Sequence, residues 1–123
     1  MSHLERPTDN PAYEALRERQ KAKFLDILAD SYHIDFSNCY LRGVDLSEVS
    51  LSKVILKGAY LHSADLRGVD LSHHNLEGCS IHKARISGVF FPKNISVDEI
   101  LMSLQHGTRI RLSSQDENSN TVD

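Results

Sequence analysis

Residues 34–93 read IDFSN CYLRG VDLSE VSLSK VILKG AYLHS ADLRG VDLSH HNLEG CSIHK ARISG VFFPK when broken into fives. The third residue of every five is large and apolar: Phe36, Leu41, Leu46, Leu51, Leu56, Leu61, Leu66, Leu71, Leu76, Ile81, Ile86 and Phe91. In a chain of ordinary apolar content, so long a series at a preset spacing arises by chance about once in sixty thousand tries per register. The first residue of each five is also apolar, and mostly small, except at His74. Glycine closes the five at Gly43, Gly58, Gly68, Gly78 and Gly88. A period of five fits neither a helix nor a strand. An apolar pair followed by polar residues or glycine describes a short extended piece and then a bend. A chain that bends in the same sense every five residues coils on itself, with its centres inward and successive coils pairing at about 4.8 Å. Such a unit cannot bury its face alone, so its stability comes from its neighbours.

VDLSE, ADLRG, VDLSH and CYLRG resemble the A(D/N)LXX units of pentapeptide-repeat proteins. The resemblance implies an all-β solenoid, a right-handed quadrilateral β-helix with four pentapeptides per coil, hence about three coils over 34–93. It implies no particular site, because a fold does not name its function. In that register residues 20 apart stack on one face. Cys39 and Cys79 then lie two coils, about 10 Å, from each other, beyond the roughly 7 Å a disulfide spans between Cα atoms. Both are read as small buried fillers. His74 either distorts its coil or turns its ring outward, and both readings stand.

The open ends of a stacked solenoid need covering. Upstream, Asp9 or Asn10 followed by Pro11 starts a helix over about 11–29, with a stripe of Tyr13, Leu16, Phe24, Ile27 and Leu28 interrupted by Gln20. Its length, about 28 Å, and its charged stretch EALRERQKAK leave two placements open, a cap or a projecting arm. Downstream, Ser96 and Glu99 form a capping box ahead of Ile100, Leu101 and Leu104, with Gly107 as C-cap. This predicts a short helix over 97–106 and a brief extended segment over 108–112. The expected organisation is an arm and helix over 1–33, repeats over 34–93, the helix and extended segment over 94–112, and a disordered polar tail over 113–123. By family analogy the C-terminal element forms a homodimer; simple capping is the alternative.

The 123 residues carry 14 Lys+Arg against 17 Asp+Glu, a net charge of −3. That gives no electrostatic reason to seek nucleic acid. No apolar run approaches a membrane span, and the polar N-terminus lacks signal-peptide character, so a soluble cytoplasmic protein is expected. No phosphate loop, nucleophile elbow or metal-spaced cysteine pair occurs. His62 and His82 share a face, but Arg42 and Ser80 beside them make a poor zinc site. No metal, cofactor or catalytic residue is therefore assigned, and no enzyme is expected. Within 34–91, six acids (Asp35, Asp45, Glu48, Asp65, Asp70 and Glu77) balance six bases (Arg42, Lys53, Lys57, Arg67, Lys83 and Arg85). This neutrality opposes the DNA-mimicking, gyrase-binding role that the resemblance offers as the alternative function. The expected function is a protein-interaction or scaffold module, an accessory subunit of a larger bacterial assembly. Its candidate partner-binding face is Tyr40, Arg42, Tyr60, His62 and His82, since Tyr and Arg are enriched at interface hot spots. A purely structural tyrosine ladder is the competing reading.

Overall fold

Residues 10–113 are described in the computed structural model of the chain. Asn10 caps the first helix by accepting the Tyr13 N–H on its side-chain oxygen, and Pro11 fills the first turn, where its missing N–H costs nothing. This helix, α1 (Pro11–Arg17), stops after two turns, and α2 (Lys21–Asp30) follows. The single helix expected over 11–29 is thus two, broken where Arg19 adopts a φ of 61°. The break falls at Gln20, where the apolar stripe lapses. It lets Tyr13 and Leu16 on α1 and Phe24 and Leu28 on α2 all reach buried positions. Both helices meet the start of the repeat. Phe24 stacks on Phe36 with ring centroids 6.4 Å apart, and Tyr13 meets the same ring edge-on at 6.3 Å. The Lys53 ammonium donates to the Leu28 carbonyl in the last turn of α2 at 2.6 Å and to that of the C-cap Ser31 at 2.9 Å, satisfying acceptors that a helix end leaves open.

Within the repeat, residues 20 apart pair in parallel. β1 (Ile34–Asp35) pairs with β2 (Val54–Ile55), and single bridges join Tyr40 to Tyr60 to Ser80, Asp45 to Asp65 to Arg85, and Asp70 to Phe90. Regular strand is confined to these short pieces because the chain turns again within each five. The bonds keep one stagger: the Leu41 N–H donates to the Tyr60 carbonyl, the Tyr60 N–H to Cys39, and the Leu61 N–H to Ser80. The side chains obey the same repeat. The ten centres from Phe36 to Ile81 are each at most 1% exposed, whereas Ile86 and Phe91 are only half-buried. Cys39 and Cys79 are buried and not disulfide-bonded. Burial, above all, pushes the Cys79 thiol up to about 11, so it is neutral, and it donates to the Leu56 carbonyl.

Two local devices set the bends. The last residue of most fives has positive φ. At Gly58 and Gly68 a Cβ would lie 2.1 Å from the Asn38 side-chain oxygen and 2.6 Å from a Glu48 carboxylate oxygen, so a larger residue would have to displace those side chains as well as adopt a strained left-handed φ. Lys53, His73 and Lys93 occupy the same place in their fives without a positive φ. The second device is a turn bond from the acidic second residue. Asp35, Asp45, Asp65 and Asp70 each accept the backbone N–H two residues on, and three of them also accept a serine hydroxyl. These acids are turn residues, a role beyond the exposed charge ladder that their stacking alone suggests.

One corner departs from the register. Among the described residues no backbone hydrogen bond joins 49–56 to 69–75, so the pairs expected at Ser50–Asp70 and Ile55–Asn75 are missing. His74 sits at this corner with its ring turned in. Its Nε2 lies 2.9 Å from the Leu51 carbonyl and 3.1 Å from that of Val54. Of the two readings of His74, local distortion is the one observed.

At the far end Ser96 caps α3 (Val97–His106) by accepting the Glu99 N–H, and Gly107 closes it at a φ of 77°. The buried inward residue of α3 is Ser103, whose hydroxyl accepts the Ile81 N–H at 3.0 Å. Leu101, expected on the inner stripe, is instead 44% exposed. The segment over 108–112 forms no strand. It joins the stack through Ile110, which is fully buried, donates to the Cys79 carbonyl and accepts from the Gly78 N–H. Residues 1–9 and the polar tail over 114–123 lie outside the described residues.

Leu66 lies at the centre of this stack with no exposed surface. Leu66→Asp would bury an unpaired charge there. Its expected outcome is loss of the cooperative thermal transition by circular dichroism; a near-native melt would disprove the inward assignment.

Candidate functional site

Two adjacent columns of the repeat build the candidate face. The second residues of their fives give Tyr40, Tyr60 and Ser80, and the fourth residues give Arg42, His62 and His82. The 20-residue pairing brings all five predicted residues onto one side. Tyr40 and Tyr60 stack nearly parallel, with centroids 5.3 Å apart and planes 8° apart. The Tyr60 ring meets His62 edge-on at 5.3 Å, and His62 meets His82 edge-on at 4.7 Å. Aromatic pairs at such separations contribute about 0.5–1.5 kcal/mol beyond their burial. The face is therefore a continuous ring ladder that also ties neighbouring turns of chain together.

Both ends of the ladder are held by the flanking helices. On the N-terminal side the Tyr13 hydroxyl donates to the Tyr40 carbonyl at 2.9 Å. The Arg17 guanidinium lies 5.9 Å from the Tyr40 ring centroid and donates to the Arg42 carbonyl. On the C-terminal side His82 Nδ1 lies 3.2 Å from the Leu104 carbonyl, and the buried Ser80 hydroxyl donates to the Gly107 carbonyl at 3.2 Å. Of the five residues, Arg42 is the exposed one and the four rings are half-buried.

The electrostatics of the ladder favour a neutral His62. Desolvation, then the Arg42 cation, then His82 and Lys83 lower its pKa below the ordinary 6.5. Its Nδ1 lies within hydrogen-bond reach of the Tyr60 hydroxyl, which a neutral ring accepts as a donor. Among the described residues no group of three or more His, Cys, Asp or Glu is placed to hold a metal ion. On the neighbouring side Arg67 grips Asp65 through two side-chain bonds of 2.9 and 2.7 Å. Chiefly through that contact, the Asp65 carboxyl falls to about 2. Asp65 is thus committed to its own turn and its own arginine.

Sequence reasoning missed three surface features. Tyr32, at the exit from α2, is 97% exposed, and Phe90 is 67% exposed. Neither falls on an inward position of the five-residue pattern, and nothing else in the sequence marks them. The third is a cleft beside His74.

The family model for pentapeptide repeats matches in eight copies, over residues 34–72 and 59–92. Among matching solved structures is a pentapeptide repeat protein from the Arabidopsis thaliana thylakoid lumen. It is 33% identical over 48% of this chain and 44% of its own, with a TM-score of 0.25. The present chain thus spans under half the length of that relative. No curated protein matches. No helix among the described residues is long and apolar enough to cross a membrane.

The lowered pKa of His62 fixes the sign of a pH effect. The unfolded chain takes up this proton first, so the His62 contribution is whole above about pH 6.5 and is lost as pH falls below it. Melting temperatures measured from pH 8 to 5 are expected to fall less steeply in His62→Gln than in the native chain. Equal slopes would mean that the ring is not held neutral.

Proposed function

We propose that this chain, which belongs to the pentapeptide-repeat family, is a non-enzymatic protein-interaction module that docks through the Arg42 side of its ring ladder. In this reading residues 34–93 wind as a right-handed quadrilateral β-helix of about three coils. The parallel pairing at 20-residue separation, four fives per step, supports that winding. The observation that carries the functional reading is the ladder itself. A rigid row of half-buried rings beside one exposed guanidinium offers preordered contact area, and side chains already fixed lose little freedom on binding. Four of the six acids of the repeat, Asp35, Asp45, Asp65 and Asp70, are engaged in turns, and Asp65 also in a bidentate arginine pair. The six neighbour an equal number of bases, so a phosphate-like field finds no support. A cytoplasmic accessory subunit is the setting this reading favours.

A homodimer through the C-terminal element belongs to the same proposal. α3 and Ile110 meet the Cys79 and Ile81 side of the last tier, whereas Ile86 and Phe91 remain half-buried. Phe90, Val97, Leu101 and Met102 are exposed close by in sequence, an apolar edge of the kind that a second copy can cover.

Arg42→Glu changes an exposed side chain and should shift stability by no more than about 0.5 kcal/mol. Pull-down from native lysate with mass spectrometry is expected to lose the partner recovered by the unmutated chain. A variant that keeps both its melt and its partner would move the binding surface elsewhere. In a DNA-gyrase supercoiling assay, the chain at micromolar concentration is expected neither to inhibit nor to protect. Activity there would restore the DNA-mimicry alternative.

A further inference from the structure

The corner at His74 is open in a way that none of the neighbouring corners is. The pairing on either side of it is intact: Leu46 and Glu48 donate to Asp65 and Arg67, and Gly58 donates to Glu77. Between these points the N–H groups of Leu51, Leu56, Asp70 and Asn75 lack the backbone acceptors that the register supplies elsewhere. The cause lies in one residue. The column holding Ile34 and Val54 continues with an imidazole where its neighbours carry valine, alanine or cysteine. The ring is too large for the close approach of paired backbones. It also occupies the Leu51 and Val54 carbonyls with its Nε2. Nε2 therefore carries the proton, and Nδ1 is buried with no partner. Unmade polar contacts of this kind are costly and uncommon in a native structure.

The gap is a surface cleft of about 570 Å³, well inside the size range of ligand sites. Its lining combines Val49, Leu51 and the exposed Ile55 with the carboxylates of Glu48 and Asp70. Lys53 is bound to the Leu28 and Ser31 carbonyls, and Arg67, the cation whose charge acts on Glu48, is held bidentate by Asp65. Backbone donors and acceptors spaced along extended chain are what another extended chain matches. An acidic rim next to apolar ground suits alternating basic and apolar side chains.

We propose that the cleft beside His74 is a binding site for a short extended peptide segment, which pairs with the unmatched backbone and sets a basic side chain against Glu48 and Asp70. This surface is separate from the Arg42 face, so either can fail while the other stands.

The test pans a phage-displayed library of random heptapeptides on the full chain and on His74→Val. Valine restores the small column, so the variant should close the gap and melt about 4–8 °C higher, the shift that roughly 1 kcal/mol gives a domain of this size. The native chain is expected to enrich peptides that alternate apolar and basic residues, and His74→Val to enrich none of them. A synthetic copy of the enriched peptide should protect the Leu51, Leu56, Asp70 and Asn75 amides from hydrogen exchange in the native chain, a readout independent of whether the variant folds. Methylating alternate peptide nitrogens of that copy should weaken binding about tenfold or more. Failure to enrich any peptide, equal enrichment on both proteins, absence of protection at these amides, or affinity that survives N-methylation would each overturn the proposal.

Discussion

Backbone pairing between residues 20 apart is the constraint from which the rest of this molecule follows. Each tier supplies the hydrogen-bond partners of the next, so a residue's lateral neighbours lie one tier away rather than nearby in sequence. A side chain is therefore selected by its column. Inward columns take leucine and small apolar residues, each large centre being worth about 1.5–3 kcal/mol of burial. Outward columns are free to repeat a ring, a charge or a serine. The Tyr40–Tyr60 stack and the His62–His82 contact are consequences of pairing before they are anything else. Any binding role for that face draws on an order that the fold already supplies.

The two ends meet the same requirement by different chemistry. At the N-terminal end aromatic side chains cover the first centre, and two lysines reach across to carbonyls: Lys53 to Leu28 and Ser31, and Lys21 to Ser47 at 2.7 Å. At the C-terminal end a serine hydroxyl and one inserted isoleucine complete the last tier on one side only. An incompletely covered edge of paired backbone invites further association. Among the described residues, the N-terminal end is thus the more fully covered of the two.

Much of this was legible in the sequence, for identifiable reasons. The inward series could be read because each centre answers to the same local rule. The bounds of α3 could be read because Ser96, Glu99 and Gly107 act within one turn of the helix end. What escaped depends on partners distant in sequence. Ser103 faces inward because the Ile81 N–H, 22 residues earlier, needs an acceptor. The break at Arg19 takes a left-handed conformation of modest cost, and only the packing of α1 and α2 on Phe36 offsets it. The turn role of the acids was within reach, since aspartate followed two residues later by serine is a turn signature. His74 stood out as an exception, but which carbonyls would hold its ring depends on the stacking itself. The juxtaposition of Tyr40, Arg42, Tyr60, His62 and His82 could be read because they share two columns; their anchoring by Tyr13, Arg17, Leu104 and Gly107 could not, because those residues belong to no column.

The caps read only the tiers they touch. The hydrogen bonds described from α1 and α2 into the repeat end within residues 34–53, and those into it from residues 97–113 end within residues 77–83, apart from the reach of Arg109 to the Gly58 carbonyl at 3.5 Å. The stretch between them is bounded above and below by copies of its own pattern. A duplication of twenty residues there would meet compatible columns on both sides and leave either terminus unchanged. In the β-helix proposed above, the chain is a ruler graduated in steps of about 4.8 Å. The distance between whatever its two ends hold is set by a count of tiers, and evolution can lengthen it in whole steps without redesigning either fitting.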